Sequence, residues 1–307
     1  MTKIFIDGSA GTTGLRIYER LTARKDLELI LLSEENRKDP AARREALHRA
    51  DIAFLCLPDA AAIEAVALAE GSDTTIIDTS TAHRTHPDWE YGFPELGGRR
   101  ERLQKATRIA NPGCHASGFV ALVQPLVQAG LIAADTPLSC VSLTGYSGGG
   151  KAMIAQYESA DRDPLLDAPR MYGLTQQHKH LKEMSAVTGL SVDPVFCPIV
   201  APFYSGMEVT VTLPAQYLKG TAAQVKDLYA TYYTDGLVRY ADNADEGGFL
   251  SAAAFSGRDD MQITVTGNDE RILLVARFDN LGKGASGAAI QNMNIRLGVR
   301  EETGLEL

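Results

Sequence analysis

The 307-residue sequence predicts an α/β protein in two domains: an N-terminal parallel sheet flanked by helices, then a second α+β domain on a mixed or antiparallel sheet. Three observations carry this. The first third alternates short apolar runs with helical patterns, as strands joined by crossover helices do. From about Cys114 the pattern changes, and the later apolar runs are not separated by a helix at every step. No internal repeat or low-complexity linker interrupts the chain.

In order, strands are expected at Lys3–Asp7, Glu28–Leu32, Asp51–Leu57, Thr74–Asp78 and Thr107–Ala110. Helices fall between them at Thr12–Arg24, Pro40–His48 and Ala60–Glu70, with Gly71 placed to end the last. That is a Rossmann-like plan. An apolar-faced helix from Ser117 to Gln128, stopped by Gly130, opens the second half. Strand-like runs follow at Ser139–Thr144, Asp193–Val200, Met207–Leu213, Gln262–Thr266 and Arg271–Asp279, and Gly287 to Gly298 reads as a closing helix.

Composition narrows the function. With 45 % apolar and 22 % charged residues the chain is an ordinary globular protein. No apolar run is long enough for a membrane span and no cleavage signal follows the first strand, so a cytoplasmic protein is expected. A net charge of -9 argues against a nucleic-acid surface, because phosphate backbones need clustered cations. A small anionic substrate remains compatible with it. Cys56, Cys114, Cys140 and Cys197 form no CxxC pair, which points to free thiols and to no metal site.

Gly8-Ser9-Ala10-Gly11-Thr12-Thr13-Gly14 follows the first strand and opens the first helix. Glycines there let the backbone approach a pyrophosphate, and the helix start offers it N–H groups and a positive dipole end. The second strand ends at Leu31-Leu32-Ser33, where an NAD-preferring enzyme usually carries an acid. Ser33 with Arg37 and Lys38 suits the extra phosphate of NADP, although Glu34 and Glu35 oppose it.

Asn111-Pro112-Gly113-Cys114-His115 ends the last strand of the first half and precedes a helix, which places a thiol at a helix start. Such a position lowers the thiol pKa and makes the thiolate a usable nucleophile. Cys56, Cys140 and Cys197 read as small core residues. An acid/base partner is expected in Gln177-His178-Lys179-His180; His115 is expected to point elsewhere and His48 to be solvated. Thr144-Gly145-Tyr146-Ser147-Gly148-Gly149-Gly150-Lys151 lacks phosphate-loop spacing and reads as a mobile loop on the substrate side.

With these residues in view, the whole chain resembles N-acetyl-gamma-glutamyl-phosphate reductase in its shorter form (type 2), of the aspartate-semialdehyde dehydrogenase superfamily. The resemblance rests on the Gly8–Gly14 turn, Asp78-Thr79-Ser80-Thr81-Ala82-His83-Arg84, the Asn111–Cys114 box, His178-Lys179-His180 with Glu183, and Phe278-Asp279-Asn280-Leu281-Gly282-Lys283-Gly284-Ala285. Tyr91-Gly92-Phe93-Pro94-Glu95 favours the acetylglutamyl branch; Leu181-Lys182, where longer members usually carry Thr-Pro, departs from them. The resemblance implies Cys114 as nucleophile, His180 as general acid/base, and Arg84 and Asn111 as substrate contacts. Asn280, Lys283 and Gly284 would line the nicotinamide side of NADPH. It implies an NADP-binding domain over 1–114, completed by the C-terminal helix 286–307, and a catalytic and oligomerisation domain over 115–285. A homodimer or homotetramer acting on a small acyl phosphate is expected. Aspartate semialdehyde or aminoadipyl phosphate chemistry is the alternative, and an NADPH-binding regulatory protein the non-enzyme one.

Overall fold

The computed structural model describes residues 1–307, which form two compact units: Met1–Gly113 with Ala285–Glu306, and Cys114–Gly284 with Leu307. The first unit holds strands β1 (Thr2–Asp7), β2 (Leu27–Ile30), β3 (Ile52–Leu55), β4 (Thr75–Asp78), β5 (Glu90–Tyr91) and β6 (Arg108–Ala110). They make one sheet in the order β2-β1-β3-β4-β6-β5, every pair parallel. Helices α1 (Thr12–Thr22), α2 (Pro40–Arg49), α3 (Asp59–Leu68) and the short α4 (Arg99–Leu103) connect the strands.

Alternate side chains of the strands feed two cores, which is why the strand sequences run apolar throughout. Ile4, Ile6, Ile52, Phe54 and Ile77 pack with Ile17 and Leu21 of α1 on one face. The C-terminal helix α9 (Gly287–Leu297) adds Ala289, Ile290 and Met293 to that face. Phe5, Ala53, Leu55 and Ile76 pack with Ala46 and Leu47 of α2 and Ala62 and Ala65 of α3 on the other. Each buried Ile, Leu, Phe or Met among them stabilises by about 1.5–3 kcal/mol. Asp39 caps α2 by accepting from Ala41 N and Ala42 N ahead of Pro40, as an N-cap followed by proline should.

The second unit is built on seven strands: β7 (Ser139–Gly145), β8 (Arg170–Met171), β9 (Val195–Ala201), β10 (Met207–Pro214), β11 (Val238–Tyr240), β12 (Met261–Gly267) and β13 (Arg271–Phe278). Their order is β11-β12-β13-β10-β7-β9-β8. The β7/β9 and β11/β12 pairs are parallel and the others antiparallel, so the sheet is mixed. Helices α5 (Cys114–Gln128), α6 (Gly150–Glu158), α7 (His180–Thr188) and α8 (Ala222–Tyr232) complete it. Gly118 lets α5 lie close on the sheet, since a Cβ there would come within 2.7 Å of Val209 Cβ.

Pro125 sits inside α5 and cannot donate to the carbonyl four residues back, that of Ala121. The Tyr233 hydroxyl, just past α8, donates to that carbonyl at 2.7 Å, and Tyr229 does the same for Leu122. The helix keeps its path because a neighbour satisfies the orphaned acceptor.

Two expectations need correction. The Gly-rich stretch is not a loop: after β7 it makes a 3₁₀ turn over Tyr146–Gly149 and then α6. Tyr146 N and Ser147 N donate to Phe203 O and Tyr204 O, and the Tyr146 ring stacks on Tyr157 at 4.6 Å, which anchors the segment. Helix α5 also starts three residues earlier than the apolar pattern indicates, so Cys114 is its first residue.

Candidate active site

In the first unit the glycine turn has the form a phosphate cradle needs. Gly8 has φ +87°, and a Cβ on it would lie 2.3 Å from Cys56 O; one on Gly14 would lie 2.4 Å from Gly8 O. Only glycine fits either position. Gly11, the N-cap of α1, provides no side-chain cap, and the first turn, which contains Thr12 and Thr13, carries no acid. The N–H groups and positive end of the helix therefore suit a pyrophosphate, while Ser9 and Ala10 form the tip of the turn. Asp7, just before it, is buried and salt-bridged to Arg43 at 3.0 Å.

Ser33 opens the turn after β2, its carbonyl accepting from Asn36 N and Arg37 N. Arg37 pairs with Glu34 at 3.0 Å, both side chains largely exposed, so the pair is weak and easily exchanged for another anion.

Arg84 is 9 % exposed, with Nε donating to Asn111 O and an Nη to Thr79 O, each at 2.9 Å. Glu90, one carboxylate near it in sequence, pairs with Arg99 and Arg102. The loop that carries Arg84 is folded around Asp78, which accepts from Ser80 N, Ser80 Oγ and the His83 ring. His83 in turn stacks on Trp89 at 4.1 Å. Asn111 is fully buried: its amide donates to Ala285 O at 3.0 Å and accepts from Asn292 at 3.1 Å. The geometry thus gives Asn111 a positioning task at the end of β6.

In the second unit Cys114 is partly exposed at the start of α5. The turn Gly282–Ser286 passes directly beside it, because a Cβ on Gly284 would stand 3.0 Å from Cys114 Cβ. Asp279 holds that turn by accepting from Leu281 N and Gly282 N, and Lys283 within it is fully buried. Asn280 accepts from Gly206 N at 3.0 Å and donates to Ser147 Oγ at 3.0 Å, so it ties three loops together.

His180 is the first residue of α7 and is 4 % exposed. It belongs to a cluster of three imidazoles, with ring centroids 5.6 Å from His115 and 4.8 Å from His178. His178 Nδ1 accepts from His180 N at 3.2 Å, which puts the proton of neutral His178 on Nε2. Burial lowers the His178 pKa, with the Lys179 charge adding to it, and burial pushes His115 down to about 3, helped by His178. Both rings are neutral at pH 7.

The sequence reading underrated His115. Its ring is the hub of the cluster, with Nδ1 2.6 Å from Ser142 Oγ and Nε2 2.6 Å from Tyr172 OH. Its place beside Cys114 was the available signal; Ser142 and Tyr172 had none. Burial pushes the Cys56 thiol up to about 12 and raises that of Cys140 further. No group of three or more His, Cys, Asp and Glu side chains is placed to hold a metal ion, and no helix is long and apolar enough to cross a membrane.

Residues 3–106 match the family described as "Semialdehyde dehydrogenase, NAD binding domain" and residues 114–280 that described as "Semialdehyde dehydrogenase, dimerisation domain". The class is therefore that of the semialdehyde dehydrogenases, with a nicotinamide cofactor. Solved aspartate semialdehyde dehydrogenases share the fold: one from Vibrio cholerae has a TM-score of 0.73 at 18 % identity, covering 97 % of this chain and 98 % of that one. One from Candida albicans, described with NADP, has a TM-score of 0.68 at 15 % identity, covering 97 % and 100 %. "N-acetyl-gamma-glutamyl-phosphate reductase 2" of Nostoc sp. is 46 % identical over 99 % of both chains. The Brucella anthropi protein named "N-acetyl-gamma-glutamyl-phosphate reductase" is 48 % identical over 96 % of this chain and 98 % of its own. This chain belongs to the N-acetyl-gamma-glutamyl-phosphate reductase family.

Proposed function

We propose that the protein converts N-acetyl-L-glutamyl 5-phosphate to N-acetyl-L-glutamate 5-semialdehyde with NADPH, the reductive dephosphorylation step of arginine biosynthesis. The observation that carries it is a partly exposed thiol, Cys114, at a helix start and next in the chain to His115 of a three-imidazole cluster. The near-full-length identity to relatives of that name supports the substrate.

The Cys114 thiolate attacks the acyl-phosphate carbonyl and inorganic phosphate leaves, so the acyl group becomes a thioester on the sulfur. When bound, the nicotinamide cofactor supplies hydride to the thioester carbon. His180 donates a proton to the oxygen as charge develops there, and collapse of the thiohemiacetal returns that proton to His180 and releases the semialdehyde and the free thiolate. Arg84 grips the substrate phosphate through its guanidinium fork. The glycine turn Gly8–Gly14 holds the cofactor pyrophosphate.

NADPH is preferred over NADH in this reading because Ser33 stands where an acid would repel the extra phosphate, with Arg37 and Lys38 near to attract it. Residues 1–114 with 286–307 serve as the NADP-binding domain and 115–285 as the catalytic and oligomerisation domain of a cytoplasmic homodimer or homotetramer. The test is phosphate-dependent NADP reduction with N-acetylglutamate semialdehyde, run beside aspartate semialdehyde. Activity on the acetylated substrate alone is expected, and activity on aspartate semialdehyde alone overturns the assignment.

A further inference from the structure

The loop Thr79–Arg84, which follows β4, is held by two carboxylates. Asp78, fully buried, accepts from Ser80 N at 2.9 Å, Ser80 Oγ at 2.7 Å and His83 Nδ1 at 2.6 Å. Asp59, the first residue of α3, accepts from Thr81 N at 2.8 Å and from the Thr81 hydroxyl. Thr79 is tied to β3, its N and its hydroxyl both donating to Leu55 O. Burying a carboxylate is costly, and an apolar side chain would fill the same space without that cost. What the carboxylate adds is a fixed direction for each donor it accepts from.

His83 is where this scaffold meets the arginine. Nδ1 carries the proton, because its partner is a carboxylate, and the ring face stacks on Trp89 with centroids 4.1 Å apart and planes 14° from parallel. Arg84 follows directly in the chain, so the anchored ring fixes the backbone from which the guanidinium extends. The head is fixed from the same knot: an Nη donates to Thr79 O, Nε donates to Asn111 O, and Asn111 N donates to Asp78 O at 2.7 Å. Both ends of Arg84 are therefore set by Asp78. A long side chain loses rotamer freedom when it closes on an anion, and one already held has less to lose. We infer that Asp78 and His83 are positioning residues that pre-set Arg84 for the substrate phosphate. The inference rests on the function proposed above, in which Arg84 takes that phosphate.

The measurement is steady-state kinetics of phosphate-dependent NADP reduction with N-acetylglutamate semialdehyde in the full chain, with separate KM values for inorganic phosphate and for NADP. His83→Phe keeps an aromatic face against Trp89 and removes the donor to Asp78. It should raise the phosphate KM about fivefold, the scale of one lost hydrogen bond, and leave the NADP KM unchanged. His83→Asn, which restores an N–H near the Nδ1 position, should reverse most of that rise. Arg84→Ala should raise the phosphate KM by about 10–100-fold, the scale of hydrogen bonds to a charged group. Adding His83→Phe to it should change nothing more, because a positioning residue has no effect once the group it positions is gone. Trp89 is the one tryptophan of the chain, so its emission reports the packing of the loop in each variant. A phosphate KM unchanged in His83→Phe, a rise shared equally by NADP, or a further rise in the double variant overturns the positioning role alone. Arg84→Ala with an unchanged phosphate KM, or a parent without turnover on that aldehyde, overturns the reading beneath it and this inference as well.

Discussion

The place of Cys114 at a helix start was readable from sequence because a helical pattern follows the Asn-Pro-Gly-Cys segment that ends the last strand of the first half, whereas Gly284 and His180 came with the family resemblance. Cys114→Ala should abolish turnover while leaving NADPH binding, measured by fluorescence titration, unchanged. Replacing His180 by Asn should cost about 10²–10⁴-fold in kcat, the usual scale of general acid–base work. His115 makes a pH prediction. Folding lowers its pKa from an unfolded value of about 6.5 to about 3, so as pH falls the unfolded chain binds the proton first. Stability held above about pH 6.5 is lost progressively toward pH 3, at up to about 1.4 kcal/mol per unit, and His178 adds in the same direction. Urea midpoints at pH 7.5 and 5.5 should differ less in His115→Asn than in the parent. What the sequence could not show was the His115 hub, because Ser142 and Tyr172 reach it across 27 and 57 residues by strand placement and not by spacing.

Most of the longer strands and helices were legible, since period-two and period-3.6 patterns follow directly from burial on one or two faces, but helices α7 and α8 and the short strands β8 and β11 were not read. The exceptions have physical causes. β5 and α4 are two and five residues long, too short to display a period. Helix α6 begins in a run of glycines whose low helix propensity hid it, and it forms because Ser147, Asn280 and the Tyr146–Tyr157 stack anchor its start. Glycines at close approaches give the sharpest tests here. Gly14→Ala should disrupt the turn and cut NADPH affinity, because its Cβ would overlap Gly8 O at 2.4 Å. Gly118→Ala should lower stability by about 1–3 kcal/mol through overpacking against Val209, with chemical denaturation as the check.

At the scale of the molecule, the two-layer logic of each sheet was predictable, but which distant segments complete each core was not. The last helix supplies Ala289, Ile290 and Met293 to the face that β1 and α1 begin. A chain cut after residue 285 should therefore lose cofactor binding as well as catalysis, with thermal unfolding of the first unit shifted strongly downward. Timing follows from the proline in α5. The carbonyl of Ala121 has no donor in its own helix and waits for the hydroxyl of Tyr233, 112 residues further along the chain. On the ribosome, α5 emerges long before that hydroxyl exists, and the helix must persist meanwhile with a broken ladder. The second unit should consequently gain resistance to protease only when synthesis has passed Tyr233, so that completion of folding is set by arrival of a distant side chain and not by the order in which strands are made.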